Sequence, residues 1–140
     1  MTTGIRGIGM TAMGVSNDLS DLATRLDEIE ATGLSFVELP LYDLDCVIAG
    51  RVHRPQLEAV KNITSSRAFT YTAHGPHPIN FFDDVFRLPR HFEVLKASME
   101  CAAELQAAHY VVHAGMMPLT QSAGLDAAYE RQREWLLKAG

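Results

Sequence analysis

Cysteine is scarce in this chain. Only Cys46 and Cys101 occur among 140 residues. They stand apart, without the paired spacing of a zinc ribbon or a thiol redox motif. Cys101 lies beside Ala102 and Ala103 in a helical pattern and reads as a small buried thiol. A basic excess is missing too: 12 Lys and Arg face 17 Asp and Glu, for a net charge of −5. That balance argues against non-specific attraction to nucleic acid, and Arg51, His53 and Arg54 form the one compact basic group. No basic segment followed by a long apolar stretch opens the chain, so no signal peptide is expected. No run approaches the length of a membrane span, and a cytoplasmic, reducing location is the expectation. Gly4-Ile5-Arg6-Gly7-Ile8-Gly9 lacks the strand–turn–helix setting of a phosphate loop.

Apolar residues make up 47% and charged residues 21%, enough for the core of one soluble domain spanning 1–140. Strand and helix alternate. A weak strand is predicted over 5–10, and the spacing Leu19, Leu22, Leu26, Ile29 predicts an amphipathic helix over 18–32. Asn17 or Asp18 is placed to cap that helix, and Gly33 suits the left-handed residue past its end. A second strand covers 34–39. A loop over 40–54 then leads to a helix that opens at Pro55 and carries Leu57, Val60 and Ile63 on one side. A third strand covers 68–74. After a second long loop, 75–88, a helix begins near Pro89 with an inward stripe of Phe92, Leu95, Met99, Ala102 and Leu105. A fourth strand over 109–113 and a helix over 123–138 complete the pattern. The class is α/β: four consecutive βα units with parallel strands and right-handed crossovers, half of an eight-stranded barrel. Four units leave two open edges. The expectation is therefore a longer polypeptide whose C-terminal half is missing here or, failing that, a homo-oligomer in which copies complete one another.

Two apolar runs end in histidine, at His74 and His113, and each is followed by turn chemistry. A third run carries Glu38 near its end. The intervals are 36 and 39 residues, about one strand–helix unit each. Such a register puts three polar groups at the same end of successive parallel strands, where α/β folds keep their chemistry. Imidazoles there suit a divalent metal or general acid–base work, against the plainer alternative of bonding loop backbone. Glu38 is placed either for substrate or metal, or to pair with Arg51 or Arg54. His77 and Asn80 lie in the loop beyond His74, where they would contact substrate or serve as turn-forming polarity, Pro76 and Pro78 flanking His77. His109 begins its strand and reads as structural; His53 and His91 read as solvated. Asp83 and Asp84 read as capping or solvated acids.

Several segments resemble the xylose isomerase-like TIM barrels, a superfamily of sugar-phosphate isomerases and epimerases that also holds the endonuclease IV type of abasic-site nuclease. Gly33-Leu34-Ser35-Phe36-Val37-Glu38-Leu39 is similar to the second strand. Ala73-His74-Gly75-Pro76-His77-Pro78-Ile79-Asn80-Phe81 is similar to the third strand and its loop. The stretch from Ser98 to Leu105, with His109-Tyr110-Val111-Val112-His113-Ala114-Gly115, is similar to the fourth unit. The resemblance covers nearly the whole chain but only the first half of the barrel. His77 departs from it, where an aromatic is common, and Ala114 departs where proline is common.

The resemblance implies a metal-dependent sugar or sugar-phosphate isomerase or epimerase, moving a proton next to a carbonyl through an enediolate. It implies a divalent ion (Zn, Mn, Mg or Co). His74 and His113 would line or ligate it; they match metal ligands in the nuclease branch and shape the sugar pocket in the other. Glu38, His77 and Asn80 would hold substrate, and the catalytic acids would lie beyond Gly140. The rival readings are a metal-dependent phosphodiesterase of the endonuclease IV type, and a catalytically inactive oligomeric half-barrel that only binds.

Overall fold

The computed structural model describes residues 7–113, 115–117 and 124–139. Its elements in chain order are β1 (Gly9–Thr11), α1 (Leu22–Ala31), β2 (Phe36–Pro40), β3 (Val47–Ile48), β4 (Arg51–Val52), α2 (Arg54–Thr64), β5 (Thr70–His74), α3 (Leu88–Glu104), β6 (Tyr110–Val111) and α4 (Leu125–Ala139). Four strands form one parallel sheet in the order β1-β2-β5-β6, each neighbour reached through a helix. This is the predicted α/β architecture of successive βα units. Among the described residues no helix is long and apolar enough to cross a membrane.

The sheet is two-faced because side chains alternate along each strand. Val37 and Leu39 of β2 and Tyr71 and Ala73 of β5 are buried on one face. There they meet Leu22, Leu26 and Ile29 of α1 and Leu57 and Val60 of α2 in one cluster. Each fully buried Leu, Ile or Val stabilises the fold by about 1.5–3 kcal/mol, so this layer dominates the energetics. The opposite face carries Phe36, Glu38, Thr72 and His74, all part-buried. Thr11, Glu38 and Thr72 stand side by side across three strands. A second cluster of Ile79, Phe81, Leu88 and Leu95, with Trp135 against it, fixes the loop after β5 between α3 and α4. Cys46 and Cys101 are both buried in the first cluster, and burial pushes each thiol up to about 12.

The structure departs from the sequence reading at several places. The first strand falls at Gly9–Thr11, later than 5–10, and residues 5 and 6 lie outside the described residues. Helix α1 starts at Leu22, and neither Asn17 nor Asp18 caps it. Asp18 accepts the Ser20 N–H at 3.0 Å, while Asp21 holds the Ser16 N–H and hydroxyl at 2.8 and 2.9 Å. Gly33 does adopt the expected left-handed conformation, at φ 78°. The 40–54 loop contains the antiparallel β3–β4 hairpin, whose turn places Ala49 and Gly50 at positive φ. Strand β6 ends at Val111, so His113 lies two residues beyond it rather than at its last position. The last helix begins at Leu125; residue 123 and Ala114 lie outside the described residues.

His53 and His91 are part-buried rather than solvated. The Nδ1 of His53 is buried at the start of α2, and His91 is engaged on both ring nitrogens. Glu38 pairs with neither arginine; Arg54 is taken by Glu100 and Glu104.

Candidate functional site

The site begins at His74, the last residue of β5. Pairing with β2 places it opposite Pro40, one pleat beyond the Glu38–Thr72 row, on the face turned away from the helices. Its Nδ1 lies 3.0 Å from Glu38 Oε1, and the same oxygen accepts the Thr11 hydroxyl at 2.9 Å. Three adjacent strands are thus tied through one carboxylate. A carboxylate oxygen accepts, so the Glu38 contact selects the His74 tautomer that carries its proton on Nδ1 and turns Nε2 away from Glu38 as the acceptor.

That Nε2 meets His113 Nε2 at 2.6 Å. With the His74 nitrogen acting as acceptor, His113 donates its Nε2–H. The rings of His74 and His113 have centroids 4.8 Å apart, and His77 packs 5.1 Å from one and 4.4 Å from the other. One ring nitrogen of each of the three histidines lies within 4.8 Å of the others. His113 is held below the usual imidazole range by burial first, then by His77 and His74, with Glu38 opposing. Near neutral pH it is therefore an uncharged ring with a lone pair to offer.

Such a donor set suits a divalent ion. Two nitrogens that share one tetrahedral ion at about 2.0–2.1 Å each stand farther apart than a short hydrogen bond. Holding an ion through both Nε2 atoms would therefore replace the His74–His113 hydrogen bond, and the neutral His113 ring would keep its proton on Nδ1 instead of Nε2. Glu38 behind His74 is the carboxylate–histidine arrangement that fixes a ligand's tautomer and raises its basicity.

His77, His113, Asn80, Asp83, His91 and Met116 line a cavity of about 390 Å³ beside the three rings. Asp83, read from sequence as a cap or a solvated acid, accepts from His91 Nε2 at 2.9 Å, and this bond holds its carboxyl below the usual range. Asn80, expected to hold substrate, has both ends of its amide bonded to the backbone of Met116.

The structure brings His74, His113, Glu38 and His77 together. Sequence reasoning put His77 with the substrate contacts; its signal as a third imidazole was the His74-Gly75-Pro76-His77 turn, which folds the second ring back over the first. Thr11 was missed because the first strand was drawn to end one residue before it.

No protein-family model matches the chain. No curated protein matches it in sequence. Its fold does have a counterpart. A D-tagatose 3-epimerase-like protein of known crystal structure superposes with a TM-score of 0.70 at 17% identity. The match covers 95% of this chain and 47% of that protein, so the chain spans about half the neighbour's length. A likeness at this identity shows the fold: four βα units, half of a TIM barrel. In that fold the cluster sits at the C-terminal ends of the strands, the rim where active sites of this architecture lie.

Proposed function

We propose that this chain forms the metal-holding half of a barrel that isomerises or epimerises a sugar or sugar phosphate by proton transfer next to a carbonyl. The observation that carries this reading is the Glu38–His74–His113 chain at the strand ends, with His77 against it. A divalent ion bound there would polarise the sugar carbonyl and offset the charge of the enediolate. Three imidazoles favour Zn²⁺ or Co²⁺ over Mg²⁺, which prefers oxygen ligands. Glu38 holds His74 in one tautomer. It is committed to His74 and Thr11, so the acids that move the proton are assigned to the half that closes the barrel. The fold neighbour is described as D-tagatose 3-epimerase-like, which makes ketoses the substrates to try first.

The test has two parts. Cobalt titration followed by d–d absorption should give one equivalent per chain, with affinity about 10–100-fold weaker in Glu38→Gln. In D₂O, the closed barrel should place deuterium on the carbon beside a ketose carbonyl. A chain that takes up no metal, or a closed barrel that exchanges no such proton, overturns the reading.

A second reading is favoured by the direct His74–His113 contact, since those positions match metal ligands of the endonuclease IV branch. The net charge of −5 counts against it, because a DNA backbone is met by cations. Nicking of abasic duplex DNA separates the two.

A further inference from the structure

His113 has no strand beneath it, since β6 ends at Val111. The backbone just beyond it is gripped by Asn80. Nδ2 of Asn80 donates to the Met116 carbonyl at 3.0 Å, and Oδ1 accepts the Met116 N–H at 3.2 Å. One primary amide thus satisfies both backbone groups of a residue on another loop. Oδ1 also accepts the Phe82 N–H at 3.0 Å, which stiffens the loop that carries Asn80. The Asn80 N–H in turn donates to His91 Nδ1 at 3.3 Å, and Asp83 holds the far side of that ring at 2.9 Å.

A turn-forming asparagine explains only the Phe82 bond. The two bonds to Met116 lie outside that turn. Gly115 supplies an independent sign of the same contact. Its φ is +96°, and a Cβ there would collide with Asn80 Oδ1 and press on Asn80 Cα. Gly115 and Met116 are shaped to receive this one side chain.

We infer that Asn80 is a positioning residue, a latch that clamps the loop after β6 onto the loop after β5 and so holds His113 against His74 and His77. The clamp acts on the free protein; its consequence for metal affinity rests on the reading proposed above.

The test uses the EDTA-treated chain first. In Asn80→Ala, the Met116 amide should exchange with solvent at least about tenfold faster, as expected when a hydrogen bond opens. NOEs between the His77 and His113 rings should disappear while the Leu95 amide stays protected. Gly115→Ala should do the same. Because its Cβ collides with Asn80 itself, adding Gly115→Ala to Asn80→Ala should do less than it does alone. With Zn²⁺ added, Asn80→Ala should bind about 10–100-fold more weakly, the usual cost of losing a group that orients a ligand. Unchanged Met116 exchange together with persistent ring NOEs in Asn80→Ala overturns the latch.

Should Asn80→Ala fail to fold, Asn80→Asp decides. It keeps the acceptor for Phe82 but sets a carboxylate oxygen against the Met116 carbonyl. The latch then predicts lost His77–His113 NOEs with the Phe82 amide still protected; retained NOEs overturn it. A wild-type chain that takes up no Zn²⁺ defeats the metal reading alone, since exchange and NOEs still decide the latch.

Discussion

At the scale of single residues, the cluster makes stability depend on pH in a direction set by His113. Burial and two neighbouring imidazoles disfavour its cation, so its folded pKa lies below the ordinary 6.5. On acidification the unfolded chain takes up the proton first. Stability therefore falls as pH drops below 6.5 and levels off once the folded ring is also protonated. Urea unfolding of the metal-free chain across that window should show this slope, and His113→Ala should flatten it. An equal slope in the variant would mean that His113 is not held against the other rings. His113 was legible in sequence as a ring after an apolar run, and Glu38 as a carboxylate in register with it. Their link through His74 was not, because it depends on how far each side chain reaches past the end of its strand.

At the scale of elements, the apolar stripes of α1 and α2 were readable because leucine, isoleucine and valine recur at helical spacing and pack on the sheet, whereas α3 divides its stripe, with Leu88 and Leu95 in the second cluster and Cys101 and Ala102 in the first. The first strand was blurred for a physical reason. Gly7 and Gly9 leave room for Phe36, and a Cβ on Gly9 would stand 2.6 Å from the Phe36 carbonyl oxygen. The residues that permit close strand packing thus remove the side chains from which a strand is recognised. The β3–β4 hairpin escaped because two-residue strands are too short to show a period. His91 was misread because its partners, Asp83 and the Asn80 N–H, lie in the irregular loop just before α3, whose fold back onto the helix leaves no period in the sequence.

Packing also ranks the contacts that hold the mouth in place. Phe81 is fully buried and stacks on Trp135 of α4 with centroids 6.4 Å apart. Phe81→Ala should cost about 3–5 kcal/mol in urea unfolding. Arg54→Ala removes two ion pairs to Glu100 and Glu104 but should change little, since Arg54 and Glu100 are about half exposed and Glu104 is only part-buried. The reverse ranking would mean that surface charge, rather than the second apolar cluster, anchors the loop after β5.

At the scale of the whole molecule, the sheet order leaves β1 and β6 as edges, with one side of each backbone unpaired among the described residues. Beside them Ile8, Met10, Val111 and Val112 are exposed, and the face carrying Glu38 and His74 has no layer over it among the described residues. An eight-stranded barrel fills that space with side chains from every strand, and the fold neighbour is about twice as long as this chain. Closure by a second copy is geometrically simple. A twofold axis along the barrel would set β6 of each chain beside β1 of the other, parallel, and bring two copies of the histidine cluster to one rim. Closure by further polypeptide would use the same two edges. In either case the isolated 140-residue chain should self-associate, because unpaired edges and exposed apolar residues favour strand addition. Sedimentation equilibrium over the micromolar to millimolar range should show mass rising above 15.4 kDa with concentration. A lysine on an edge opposes such pairing, so Val111→Lys should shift the midpoint at least about tenfold while leaving the helical signal intact. A chain that stays monomeric throughout that range would show that these edges are protected by something other than a second half.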